Sequence, residues 1–171
     1  MPIFTPILHD AFADLIRALA AELAADDWQP DFIIGIGRGG LAPGVYLSHA
    51  TGLATLSVDY SSKNADFSEA PLDRLAERTR AGERLLFLDD INDTGGTIGK
   101  LRERMAAKGA AMGQVRFATL LDNVRSTQKV DYRARMIDRA VTKDWFIFPW
   151  EAMAPDSAIA ADAAEVPERT A

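Results

Sequence analysis

The stretch Leu85-Leu86-Phe87-Leu88-Asp89-Asp90-Ile91-Asn92-Asp93-Thr94-Gly95-Gly96-Thr97 limits the fold more than any other part of the chain. From Arg84 to Leu88 it reads as a strand, continuously apolar and therefore covered on both faces. It breaks at once into acids, hydroxyls and glycines. A helix then follows, with Ile98, Leu101 and Met105 on one side and Gly109 as its natural stop. A strand sealed on both sides and feeding a helix belongs to a sheet with helices on each face.

The rest of the chain repeats that alternation. Asp10 can cap a helix whose apolar residues Phe12, Leu15, Ile16, Leu19 and Leu23 recur at three-to-four spacing. Further strands are expected at Phe32-Ile33-Ile34, Leu53 to Val58, Val115 to Leu121 and Tyr132 to Ile137. A short helix is expected near Gly44 to Thr51, and a helical stretch at Pro71 to Arg80 inside a polar loop that begins at Ser61. The expectation is an α/β fold: one domain, a mostly parallel five-stranded sheet flanked by helices, with a small hood from the chain ends. Residues 1–151 make up this domain. Residues 152–171, rich in alanine and acid, read as a loose tail.

Composition narrows the chemistry by exclusion. At 171 residues the chain can bury a core without staples. Having no cysteine, it has no disulfide, thiolate metal site or cysteine nucleophile. Two histidines, His9 and His49, supply a histidine-rich metal site poorly. A net charge of −6 argues against nucleic acid or an acidic membrane as partner, since phosphate backbones demand a basic face. No apolar run approaches the roughly 20 residues that span a bilayer. The N-terminus also lacks the basic opening and long apolar core of a signal peptide, so a cytoplasmic location is expected.

Three carboxylates at the mouth of a buried strand, followed by Thr-Gly-Gly-Thr and a helix start, suit two kinds of ligand group. The helix N-terminus carries unpaired N–H groups and about half a positive charge, which favour phosphate. Gly95 and Gly96 let the backbone wrap closely around that anion, and Thr94 and Thr97 add hydroxyls. Asp89 and Asp90 repel phosphate but accept hydrogen bonds from vicinal ribose hydroxyls, or hold magnesium through water. A plain helix cap would account for one acid, not three.

Phe87 to Thr97 resembles the phosphoribosyl-pyrophosphate signature of type I phosphoribosyltransferases: an apolar strand, two acids, two variable residues, then Asp-Thr-Gly-Gly-Thr. The resemblance implies a magnesium-dependent transfer of phosphoribose from phosphoribosyl pyrophosphate to a nucleobase. Asp89 and Asp90 would bind the ribose hydroxyls and help hold Mg2+, and Asp93 to Thr97 would cradle the 5-phosphate. Asp93 would also serve as general acid/base beside the base nitrogen. The family is commonly dimeric or tetrameric, so a homo-oligomer is implied by analogy.

Gly35-Ile36-Gly37-Arg38-Gly39-Gly40 satisfies the dinucleotide pattern G-x-G-x-x-G, with Asp59 near the place of a ribose acid. That reading leaves Asp89 to Thr97 without a role. The family resemblance instead makes Gly37 to Gly40 the pyrophosphate loop. Arg38 would grip the diphosphate as a planar fork, Gly39 would let the backbone approach it, and a non-proline cis peptide is common there.

Near the chain end, Trp145-Phe146-Ile147-Phe148-Pro149-Trp150-Glu151 is similar to the closing segment of the xanthine–guanine branch. There the first aromatic stacks on the purine, which implies Trp145, and backbone at Phe146 reads the base edge. Phe148 and Trp150 fit core packing. The branch carries a lysine after its fourth strand to donate to O6, but here that place holds Asn123. Asn123 can read O6 or an exocyclic amine, and Arg125 can instead reach in as the cation. The resemblance therefore implies purine salvage with guanine, xanthine or hypoxanthine. The alternatives are another base, or a ligand-sensing regulator that has lost catalysis. Tyr60 to Arg80 corresponds to the family's closing loop, with Lys63 as a candidate phosphate contact.

Overall fold

Alternation along the central strand decides the architecture. Leu86 and Leu88 enter one apolar cluster while Leu85 and Phe87 enter another, and all four are fully buried. In the computed structural model, which describes residues 3–59 and 69–164, that strand is β4, Leu85–Asn92. Around it lie β1 (Phe4–Pro6), α1 (His9–Ala24), β2 (Phe32–Ile36), α2 (Gly37–Thr51), β3 (Ala54–Val58) and α3 (Glu69–Arg80). After it come α4 (Gly96–Ala107), β5 (Val115–Asn123), β6 (Tyr132–Ile137), β7 (Trp145–Ile147) and α5 (Asp156–Ala164). The five-stranded sheet has the order β3-β2-β4-β5-β6 and every neighbouring pair is parallel.

The first cluster packs α1 through Phe12, Ile16, Leu19 and Leu23, and α2 through Leu47, against one face of the sheet. The second packs α3 through Leu72, Leu75 and Ala76, and α4 through Ile98, Leu101 and Met105, against the other. The helical spacing expected for α1 and α4 is thus the spacing that is buried. The hood forms from the chain ends: β1 and β7 make a separate parallel ribbon, pairing Phe4 with Trp145 and Pro6 with Ile147. Because the chain leaves β2 for β3 on one side and then crosses to β4 on the other, the order switches between β2 and β4. Ligands in such sheets bind beyond the carboxyl ends at that point.

Several boundaries differ from expectation for physical reasons. The first helix begins one residue before Asp10, which therefore does not cap it. The N-cap is Leu8, without a side-chain bond, and Asp10 sits in the first turn, where its charge suits the helix dipole. α2 begins at Gly37 and contains Pro43. Glycine and proline disfavour a helix there, but close packing against β4 overrides that preference. The expected cis peptide is not found among the described residues. Both β4 and β5 run past their apolar stretches, because ladder pairs such as Asp89 with Thr119 and Asn92 with Asp122 need only backbone groups. The helical stretch expected at Pro71 to Arg80 is present and starts two residues earlier, at Glu69. Asp156–Ala164, expected to be loose, is also a helix and buries Ala163, in keeping with alanine's high helix propensity.

Candidate active site

Two segments flank the switch point, the start of α2 after β2 and the turn from β4 into α4. They touch at Gly39, where a Cβ would lie 2.8 Å from Asp90 Oδ2 and 2.9 Å from Asp89 Oδ1. The two carboxylates therefore converge on the glycine that follows Arg38. Asp89 Oδ1 also accepts the Asp90 N–H at 3.0 Å, which orients it. No group of three or more acidic or histidine side chains able to cage a metal occurs among the described residues. Two hard oxygen donors side by side suit magnesium all the same, since that ion keeps several waters and takes its remaining oxygens from substrate.

The next turn is built around Gly95, the N-cap of α4, at φ 92°. Left-handed backbone of this kind favours glycine, and the contacts demand it too: a Cβ would sit 2.5 Å from Thr127 Oγ1. No side chain caps α4, and Thr94 Oγ1 accepts the Gly96 N–H only at 3.4 Å. A helix start of this type can bind a phosphate. It is stitched from behind by the β5–β6 connection. Thr127 donates its N–H and its hydroxyl to the Thr94 carbonyl, at 3.2 and 2.8 Å. Asn92, buried, donates through Nδ2 to Asp122 Oδ1 and to the Gln128 carbonyl, both at 2.8 Å, and accepts from Ser126 Oγ at 2.9 Å. These bonds hold the cradle's shape without any ligand.

Beside it a cleft opens, lined by Asp90, Ile91, Asp93, Arg139, Trp145, Phe146, Phe148 and Glu151. The acid expected to do proton chemistry and the aromatic expected to stack thus share one cavity. Trp145 is fixed through its backbone, donating its N–H to the Ile3 carbonyl at 2.7 Å. Phe148 is almost fully buried, and its ring stacks on that of Trp150 at 4.9 Å between centroids, as core packing requires.

The structure puts Asn123 elsewhere. It is buried, donates Nδ2 to the Asp93 carbonyl at 2.9 Å, and accepts at Oδ1 from the N–H groups of Arg125 and Arg139, both at 3.2 Å. Asn123 does not line the cleft, so it organises the backbone around Asp93 instead of reading a base. Arg125 is turned to solvent and paired with Asp138 at 2.5 Å. Lys63 and residues 60–68 of the expected closing loop lie outside the described residues.

Two cleft residues had no role in the sequence reading. Arg139 grips Asp93, with Nε 3.1 Å from both carboxylate oxygens and Nη2 2.9 Å from Oδ2. Nothing in Asp138 to Asp144, a polar connection without periodicity, marks one arginine for this. Glu151 was visible only as the acid closing the aromatic segment. Burial pushes its carboxyl above the usual glutamate range, opposed by the Phe148 N–H it accepts, while Asp162 of α5 raises it further and Arg38 lowers it. Arg38 therefore lies within electrostatic reach of the cleft.

A raised folded-state value means the proton is held more tightly in the folded chain than in the unfolded one. That contribution to stability is present below the ordinary glutamate value and is lost as pH rises through the folded value. Glu151→Gln removes it. The difference in Tm between variant and wild type is expected to move in the variant's favour as pH goes from about 4 to about 7. A pH-independent difference in thermal melts would show that Glu151 does not titrate this way.

The chain is similar in sequence and fold to known proteins. Residues 6–156 match the family described as the phosphoribosyl transferase domain. An adenine phosphoribosyltransferase of Leuconostoc citreum is 28% identical over 136 residues, spanning 75% of this chain and 73% of its own length. A xanthine-guanine phosphoribosyltransferase of Idiomarina loihiensis is 27% identical over 150 residues, 84% and 82% of the two chains. Among solved structures, the purine phosphoribosyltransferase of Pyrococcus horikoshii superposes with a TM-score of 0.62 at 25% identity, covering 88% of this chain and 96% of that one.

Proposed function

Because the chain belongs to the phosphoribosyl transferase domain family, we propose that it moves the 5-phosphoribosyl group of phosphoribosyl pyrophosphate onto a 6-oxopurine in the cytoplasm, releasing pyrophosphate. The observation that carries this reading is the meeting of three parts beyond the carboxyl ends of the central strands. These are the Asp89–Asp90 pair against Gly39, the Thr94–Thr97 turn, and the cleft shared by Asp93 and Trp145. Sugar hydroxyls, 5-phosphate and a flat base need those three environments in that order.

In the proposed reaction the C1–pyrophosphate bond lengthens, the ribose gains oxocarbenium character, and the base nitrogen forms the new bond. Asp89 and Asp90 hold the ribose hydroxyls and place negative charge beside the developing cation. Arg38 grips the leaving diphosphate. Magnesium, when bound through Asp89 and Asp90, would supply charge neutralisation for that leaving group. Asp93 takes or returns a proton at the imidazole side of the base.

The test is pyrophosphate release from phosphoribosyl pyrophosphate across guanine, xanthine, hypoxanthine and adenine, with and without magnesium. Turnover with at least one oxopurine, lost on chelation, is expected. Trp145→Ala should raise KM for the base by about 5- to 150-fold, since aromatic stacking contributes roughly 1–3 kcal/mol. KM for phosphoribosyl pyrophosphate should stay unchanged. A rise in both constants would take Trp145 out of the base site.

A second reading is a ligand-sensing regulator on the same fold, and one observation favours it. Arg139 occupies both carboxylate oxygens of Asp93, as would suit an acid no longer used for catalysis. Binding of phosphoribosyl pyrophosphate without turnover of any base would make this the better account.

A further inference from the structure

We propose that Arg139 is the specificity-determining residue of the base cleft, selecting a base that carries a carbonyl oxygen next to the nitrogen served by Asp93. The inference rests on the transferase reading above and adds the residue that chooses the base. It begins from the guanidinium's hydrogen bonds. Nε–H and one Nη2 N–H hold Asp93, while Nη1 donates to the carbonyls of Asp144 at 2.6 Å and Thr142 at 3.3 Å. An arginine has five N–H donors. The second Nη2 N–H is left over, on a group that lines the cleft.

The bonds also fix where that donor is. Arg139 is held at its backbone by Asn123, at one edge by Asp93, and at the other by the residue just before Trp145. Its guanidinium carbon lies 5.3 Å from the centre of the Phe146 ring. Its side chain is only 10% exposed. A planar, buried and fully oriented cation of this kind is a donor only. It complements a carbonyl oxygen and opposes an exocyclic amine, whose hydrogens would meet its own. Arg139 is also the one cation among the described residues that line this cleft. Asn123, whose amide can present either polarity, is already used by Asp93 and the backbone, so it cannot soften the choice.

The experiment compares hypoxanthine with adenine, which differ in the C6 substituent and, through it, in whether N1 carries a hydrogen. For the wild-type protein kcat/KM is expected to favour hypoxanthine by more than about 10-fold, the span of a hydrogen bond to a charged group. In Arg139→Gln the ratio of the two kcat/KM values should fall at least about 10-fold, whatever general loss accompanies the change. A purely structural role would lower both values and leave the ratio alone, which overturns the proposal. So does a wild-type preference for adenine.

Should Arg139→Gln fail to fold with the Asp93–Arg139 ion pair broken, Asp93→Asn/Arg139→Gln removes both charges. The ratio of inosine monophosphate to adenosine monophosphate affinity is then compared with that of the wild type, by calorimetry. A lost preference supports the inference and a retained one overturns it. Because nucleotide affinity needs no turnover, this measurement also separates the two readings. If no base releases pyrophosphate, the transferase reading fails while the base preference of Arg139 is still decided.

Discussion

Asp93→Asn is expected to lower kcat by about 10²- to 10⁴-fold, the usual contribution of a positioned acid/base, while affinity for phosphoribosyl pyrophosphate changes little. The separation follows from geometry. The cradle for the 5-phosphate is backbone and hydroxyl, held by Thr127 against the Thr94 carbonyl and by the turn at Gly95. None of those bonds passes through the Asp93 carboxylate. The carboxylate points instead toward the cleft and Arg139.

The same substitution removes the partner of a buried cation. Both side chains of the pair are at most 10% exposed, and breaking such a pair costs about 3–5 kcal/mol. A fall in Tm is therefore expected alongside the fall in kcat, and rates must be referred to the folded fraction. Combining Asp93→Asn with Arg139→Gln isolates the chemical share, since the unpaired cation is gone but the acid/base is still missing. The double variant should regain much of the Tm and none of the turnover. Recovery of turnover would show that the acid's only task is to neutralise Arg139. Equal losses in kcat and in sugar-phosphate affinity would remove Asp93 from proton transfer.

How much of this was legible in the sequence depends on the reach of each signal. Local signals held. The continuous run at Leu85 to Leu88 is a strand buried on both faces, and Ile98, Leu101 and Met105 are the buried face of α4. The segments later gathered at the switch point are each contiguous, so their chemistry could be read before their placement was known. Signals that depend on distant partners did not carry. Asn123 sits at the end of β5, in the place where the family resemblance implies a base-reading residue. Two long-range bonds, to the Asp93 carbonyl and from the Arg139 N–H, turn it inward. The cation of the cleft came from the connection between β6 and β7, where no periodicity or motif marks it. A single arginine among Asp138 to Asp144 looks like a solvated loop residue until Asp93, 46 positions away, is brought against it. The helix at Asp156–Ala164 was missed for the opposite reason: its small residues carry good propensity but almost no amphipathic pattern.

Gly40→Ala is expected to be a severely damaging single-methyl change. An added Cβ would lie 2.0 Å from the Leu88 carbonyl oxygen, far inside contact distance. Both sides of that clash are backbone, so no rotamer change relieves it. Leu88 is locked into β4 by pairing with Gly35 of β2 and Ala118 of β5. On the other side, Gly35 leaves no slack, because its own missing Cβ would meet the Gly40 carbonyl oxygen at 2.8 Å. Relief therefore requires α2 to move away from the sheet. That movement would open the packing of Leu47 and pull Gly39 from the Asp89–Asp90 pair. Overpacking of a tight core usually costs about 1–3 kcal/mol and sometimes more; a backbone-to-backbone clash belongs at or above the top of that range. The measured result should be a large loss in the denaturant midpoint together with weakened phosphoribosyl pyrophosphate binding in whatever folds. Gly113→Ala is the control, since nothing lies within 4 Å of the added Cβ there. If Gly40→Ala and Gly113→Ala unfold at the same denaturant concentration, α2 is not seated on β4 through this contact, and the approach of Gly39 to the two acids loses its structural basis.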